Sequence, residues 1–406
     1  MKFTFIDGEK LGIYEDGKIR FETSAYIERY RETELRTTKN KEWKNRTDRM
    51  LADGYYPPDD EPTKTEIGSA CPYIEENKMV YTFSVGDGSF AYIKYLEDEK
   101  KTEAHVLSSN DDKIGEISVS TEGQMLISLK KGYGGDIALL SERGDYKRVT
   151  GGDSLDENPS FTEDGDILFN SFAIGRDENN VFFDYCNSEI YLLKTGSLEI
   201  QTLLSDERYS YIKPKLKKDE LYCIRVDKER NKKQNVFLSI LMIPVRIVTA
   251  IVSFISLFVS IFTGKPLVEG GEKTRSGGGA AKNKKEGMKV SLNNYVINAT
   301  EEMKRNQKDD KDYGFVPRGW KLVKTKFEKS EFFGAEQTGE VEELASGVAD
   351  YVILEENGRT VIVYTNGKRI FKLVDGKKEK LCDTGFCVKL GALTKTTNSK
   401  DLFDRL

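Results

Sequence analysis

A nucleophilic triad needs a base beside its nucleophile, and this chain of 406 residues has one histidine, His105. No Gly-x-Ser-x-Gly elbow accompanies it. His105 sits in a strand pattern without a partner motif and reads as a surface residue. The five cysteines, Cys71, Cys186, Cys223, Cys382 and Cys387, are irregularly spaced. Cys382-Asp383-Thr384-Gly385-Phe386-Cys387 lacks the two-residue spacing of a zinc knuckle or a redox motif. They read as free thiols of a reducing compartment. Glycine runs near Gly270 and Gly277 lack the strand and the Lys-Ser/Thr ending of a phosphate loop, so they read as linker. The acidic residues between Asp153 and Asp166 lack the alternating ligand spacing of a calcium loop and read as solvated turns. No catalytic residue, cofactor or metal is expected.

The chemistry that a pattern does carry is partition into lipid. Val236 to Thr263 is strongly apolar, and Ile247 to Thr263 contains no charge. Hydropathy alone makes it a membrane-spanning helix, for which about 20 apolar residues suffice. Its polar residues are not scattered. Ser239, Arg246, Thr249, Ser253, Ser256, Ser260 and Thr263 follow steps of mostly three and four, which makes one stripe on a helix. Phe237, Leu241, Ile247, Ile251, Phe254, Ile255, Phe258, Ile261 and Phe262 fall on the rest. Such a helix can lie in the interface with its apolar face down. Lys228, Arg230, Lys232 and Lys233 precede it, Arg246 lies within it, and Lys265, Lys273 and Arg275 follow. Basic residues of this kind are drawn to anionic head groups by about 1 kcal/mol each.

The remainder reads as β-structure. Lys78–Val85, Gln124–Leu129, Asp166–Phe172, Glu220–Val226 and Arg359–Tyr364 are short runs rich in β-branched and aromatic residues. Most follow a tight polar turn such as Glu163-Asp164-Gly165 or Glu356-Asn357-Gly358. A second strand pattern usually follows, at Phe90–Leu96, Asp136–Leu140, Glu189–Leu193 and Arg369–Leu373, and then a more polar third; after Glu220–Val226 the pattern is interrupted. Unit starts at Pro72, Ile117, Pro159 and Pro214 recur every 40 to 55 residues or so, the signature of a β-propeller over a large sandwich. Six blades are expected, with seven as the alternative. Phe386–Leu390 is placed to pair with Lys2–Ile6 and close the ring. A helical excursion is expected around Trp43 to Leu51.

The unit Glu157-Asn158-Pro159-Ser160-Phe161-Thr162-Glu163-Asp164-Gly165-Asp166-Ile167-Leu168-Phe169, continuing through Glu189–Glu199, resembles the Pro-x-Phe-Ser-Pro-Asp-Gly repeat of TolB-type β-propellers. The resemblance implies a fold and a binding surface. It implies no particular reaction, because one fold hosts many functions.

Three regions follow: propeller blades over 1–227, an insertion over 228–318 that carries the apolar helix 236–263 and a Gly/Lys-rich linker, and the closing propeller part over 319–406. Past the linker, the insertion continues as a polar stretch to Asp312 that is expected to hold a helix. A single span would put the two propeller parts on opposite sides of the membrane, and 28 residues are too few for two spans. The expectation is therefore a non-enzymatic propeller held on the cytoplasmic face of the cell membrane by an in-plane helix, with a protein partner. A net charge of −5 with interspersed signs gives no reason to expect nucleic acid. The N-terminal apolar stretch is too short for a signal peptide. The alternatives are a single-pass membrane protein, and a ligand-sensing or enzymatic propeller that uses its central channel.

Overall fold

A computed structural model describes residues 1–49, 65–73, 78–96, 103–141, 144–227, 288–330, 334–337 and 340–392. Its strands form antiparallel meanders, each joined by short turns. Two-residue turns at Asp16-Gly17, Asn357-Gly358 and Asp375-Gly376 have positive φ at both positions. That is the twist a tight hairpin demands, and Asn, Asp and Gly tolerate it.

The chain opens with β1 (Lys2–Asp7), β2 (Lys10–Glu15) and β3 (Lys18–Glu22), followed by helix α1 (Ala25–Arg49). The second meander is β4 (Thr65–Tyr73), β5 (Lys78–Val85), β6 (Gly88–Tyr95) and β7 (Glu103–Ser109). The third is β8 (Lys113–Val119), β9 (Met125–Lys131), β10 (Gly134–Leu140) and β11 (Tyr146–Arg148). The fourth is β12 (Ser154–Phe161), β13 (Ile167–Arg176), β14 (Phe182–Lys194) and β15 (Glu199–Leu204).

The fifth begins with β16 (Tyr209–Lys217) and β17 (Glu220–Asp227). A hairpin, β18 (Lys289–Leu292) and β19 (Tyr295–Asn298), and helix α2 (Ala299–Asn306) intervene before β20 (Trp320–Ser330), β21 (Gly334–Gln337) and β22 (Glu342–Ser346). The sixth is β23 (Asp350–Glu356), β24 (Arg359–Thr365), β25 (Gly367–Val374) and β26 (Lys377–Ala392).

Strand β26 serves two meanders. Its first half pairs with β25, and its end pairs with β1 from Asp7↔Cys387 to Phe3↔Ala392. The C-terminal strand thus supplies the missing innermost strand of the first unit. Among the described residues this makes six meanders, five of four strands and the fifth along the chain of five, in which β21 and β22 both pair with β20. Their innermost strands, β23, β26 (end), β4, β8, β12 and β16, neighbour one another in that order. The Tyr351 hydroxyl donates to the Lys213 carbonyl at 2.7 Å and joins β23 to β16. A ring of radial meanders around an axis is a β-propeller; closing it covers the inner edge of β1, while the outermost strands keep short edges.

Between meanders, alternating strand residues face each other and bury apolar clusters. The largest gathers Trp320, Phe172, Tyr351 and Phe371. Trp320 is fully buried.

Two features differ from the sequence expectation. Helix α1 starts at Ala25, well before Trp43, because Ser24 caps it. The Ser24 hydroxyl accepts the Ile27 N–H at 3.3 Å, and the Glu103 carboxylate accepts those of Ala25 and Tyr26 at 3.0 and 3.2 Å. These acceptors satisfy N–H groups that no helical carbonyl reaches. The polar stretch that begins at Lys289 opens with the β18–β19 hairpin, and only then turns helical. Val290, Leu292 and Ile297 alternate on one buried face, a period-two pattern too short to stand out in sequence.

Candidate functional site

The innermost strands carry repeated β-bulges, in which two residues oppose one. Gly115 and Glu116 oppose Ser128, Asn158 and Pro159 oppose Phe169, and Lys213 and Pro214 oppose Cys223. A bulge bends a strand and re-aims its side chains. At Gly115 a Cβ would lie 2.6 Å from the Ser128 hydroxyl oxygen, which accepts the Glu116 N–H at 2.9 Å, so a larger residue would have to displace that hydroxyl. Asn158 and Lys213 adopt left-handed φ of 52° and 56°. Lysine rarely does so, at a cost on the order of 1–3 kcal/mol. Its surroundings hold it there: the Asn170 side-chain oxygen accepts the Lys213 N–H at 3.1 Å, and Tyr351 donates to its carbonyl.

The bulges deliver a charged cluster to the axis. Lys213 Nζ lies 3.0 Å from Glu116 Oε1 and 3.2 Å from Asp350 Oδ1. Lys389, on the closing part of β26, also donates to Glu116. The second oxygen of Asp350 accepts the Leu390 N–H at 2.9 Å. Three meanders and the closing strand are thus tied by one network. Burial pushes the Glu116 carboxyl up, but the Lys213 and Lys389 ammonium groups outweigh it and hold the pKa at about 2. Burial alone would lower Lys213; Asp350 and Glu116 instead raise it above the ordinary lysine value.

A cavity of ≈ 220 Å³ lies beside this cluster, lined by Ser118, Ser160, Lys215, Lys217 and Ile353 among others. These residues belong to the later parts of the innermost strands. The cavity therefore lies toward the face where those strands end. At the opposite end of the axis, the β18–β19 turn reaches in. Asn294 donates to Glu157 Oε2 at 2.6 Å and accepts from Lys130 Nζ at 2.7 Å. Burial raises the Glu157 pKa, partly offset by Lys130 and the Asn294 amide. The insertion hairpin is thus tied to the innermost strand β12 and to β9.

A pH dependence follows. The ordinary pKa of glutamate here is 4.5, so the depressed Glu116 contributes stability that is present above that value. The contribution is lost as pH falls through about 2. Thermal melts of the protein and of Glu116→Gln should converge as pH drops from neutral toward that range. Parallel curves would mean that the pairing is energetically silent.

The residues expected to meet lipid, Phe237, Leu241, Ile247, Ile251, Phe254, Ile255, Phe258, Ile261 and Phe262, lie outside the described residues. So do Lys228, Arg230, Lys232, Lys233, Arg246, Lys265, Lys273 and Arg275. Among the described residues no helix is long and apolar enough to cross a membrane. His105 is exposed on β7, the outermost strand of its meander, with its ring edge-on to Tyr92 at 5.3 Å. Cys186, Cys223, Cys382 and Cys387 are free thiols. Asp153 pairs with Arg176, and Asp166 accepts the Thr195 N–H. The axial network escaped the sequence reading. Its one local signal was the residue before Pro159 and Pro214, the bulge position itself.

No family model matches the chain, and no curated protein matches it. Solved structures do. TolB from Acinetobacter baumannii matches over 96% of this chain at 12% identity and a TM-score of 0.47. This chain spans 65% of that one, just under two thirds. A gluconolactonase from Xanthomonas campestris matches over 80% of this chain and 78% of its own, at 11% identity and a TM-score of 0.42. A prolyl endopeptidase matches over 92% of this chain and 46% of its own, at 10% identity and a TM-score of 0.35. The chain is thus similar to TolB and to enzymes alike, while its assignment as a β-propeller rests on the strand order and ring closure seen here.

Proposed function

We propose that this protein is a membrane-associated β-propeller that acts as an interaction scaffold and carries out no reaction of its own. The observation that carries this reading is the pairing of β17 with β20, from Glu220↔Lys326 to Val226↔Trp320. The apolar segment is inserted between two strands that are hydrogen-bonded along their length. The chain must leave and return on one face of the propeller. This supports attachment from one side of a membrane over a single span that would part the two strands. Saturation of the axial charges by one another supports a structural role for them over a catalytic one. The ≈ 220 Å³ cavity is what favours the second reading, a ligand bound in the channel.

Deletion of residues 236–263 tests the anchor. The full chain is expected in the membrane fraction and the deletion variant in the supernatant. Neutralising Lys228, Arg230, Lys232 and Lys233 together should weaken binding to anionic vesicles by about 4 kcal/mol at low salt. A deletion variant that stays equally membrane-bound would sink the anchor.

A further inference from the structure

The β13–β14 hairpin is longer than its neighbours. Strand β14 begins at Phe182, whereas its pairing with β15 extends only from Lys194 back to Ile190. The hairpin end therefore projects beyond its own meander. In a propeller, the turn between second and third strands lies on the same face in every meander. This hairpin end, the β9–β10 turn with Tyr133, and the insertion between β17 and β20 all occupy that position. They share one face.

The projecting end is apolar and exposed. Phe183 is 79% exposed, Val181 59% and Tyr133 55%. It is also held in place. Tyr133 stacks on Phe182 at 3.9 Å and 4°, Phe182 meets Tyr185 at 5.0 Å, and Tyr185 meets Phe172 at 5.8 Å. The Tyr185 hydroxyl donates to the Tyr133 carbonyl at 2.7 Å. Large rings presented in a fixed arrangement lose little entropy on binding.

Charge says what fits there. Around the tip the hairpin carries Asp177, Glu178 and Asp184, with no lysine or arginine from Asp177 to Leu193. On the neighbouring turn Lys130 lies over the Tyr185 ring and donates to Asn294, and Lys131 is exposed, so the acids still outnumber the bases that border the tip. Arg176, just before, is held by Asp153 at 2.6 Å. An apolar tip bordered by acids repels anionic head groups and attracts cations.

We propose that the β13–β14 hairpin is a docking surface for a positively charged amphipathic segment of a partner protein, its apolar side chains on Phe183 and Val181. This rests on the scaffold reading above and is independent of the anchor. Because the hairpin shares the insertion's face, the partner would be held where the insertion leaves the propeller.

The test uses the full chain and two labelled amphipathic peptides of about 18 residues, one of leucine and lysine, the other with every lysine replaced by glutamate. Anisotropy should show binding of the lysine peptide alone, weakening with salt. The double substitution Val181→Ser and Phe183→Ser should weaken it at least about tenfold. Both side chains are mostly exposed, so folding should survive. Glu178→Lys, which leaves the apolar tip intact, should also weaken it. Equal binding to all variants would overturn this surface while leaving the scaffold reading standing. Three further results would overturn it: binding of the glutamate peptide, loss of self-association in the serine variant, or loss of binding to vesicles in that variant.

Discussion

Lys213→Met is expected to lower stability by about 3–5 kcal/mol, the cost of removing one partner from a buried ion cluster. The Lys213 side chain is only 5% exposed and faces Glu116 and Asp350. Methionine keeps the length and apolar stem but leaves Asp350 without its cation. Removing the charge from both sides should recover part of the loss. The double variant Lys213→Met, Asp350→Asn is expected to be more stable than the single one, as a double-mutant cycle would report. A shift in denaturant midpoint at constant slope is the measurement. A single variant within about 0.5 kcal/mol of the parent would mean that the cluster is solvated and that the axis is more open than described.

Removal of residues 386–406 is expected to have the largest effect of all. The stretch carries the strand that pairs with β1 and the backbone N–H groups of Phe386 and Leu390, held by Asp7 at 2.6 Å and Asp350 at 2.9 Å. It also carries Lys389, the second cation on Glu116. Losing it opens the ring and exposes the edge of β1, a template for aggregation. The loss should approach the whole stability of a folded domain, about 5–15 kcal/mol. Limited proteolysis and oligomer analysis of the truncated chain should show rapid digestion and aggregation. A protease-resistant monomer would mean that closure contributes little.

The strands and their turns were legible because their signals are local. Val, Ile, Tyr and Phe in β5, β9, β17 and β24, and the Asn-Gly and Asp-Gly turns, act over a few residues. Ring closure by Phe386–Leu390 could be read because the strand patterns Lys2–Ile6 and Phe386–Leu390 stand at opposite ends of the repeat array. Helix α1 was placed too late because its cap, Ser24, is completed by Glu103 from a distant strand. The longer reach of β14 was missed because Asp177–Val181 looks like any polar turn until both flanking strands are seen to extend beyond β15.

By itself, then, the sequence determined the meander repeat, the closing strand and the one apolar insertion, since each is written in residue type and spacing along the chain. Only the tertiary structure decided how the axis is held and which face carries what. Glu116 and Lys389 are 273 residues apart in sequence, and no local pattern brings a carboxylate to an ammonium over that distance. It took bulges in successive innermost strands to aim them at one axis. The stacking of the meanders then set the exposed β13–β14 tip beside the insertion.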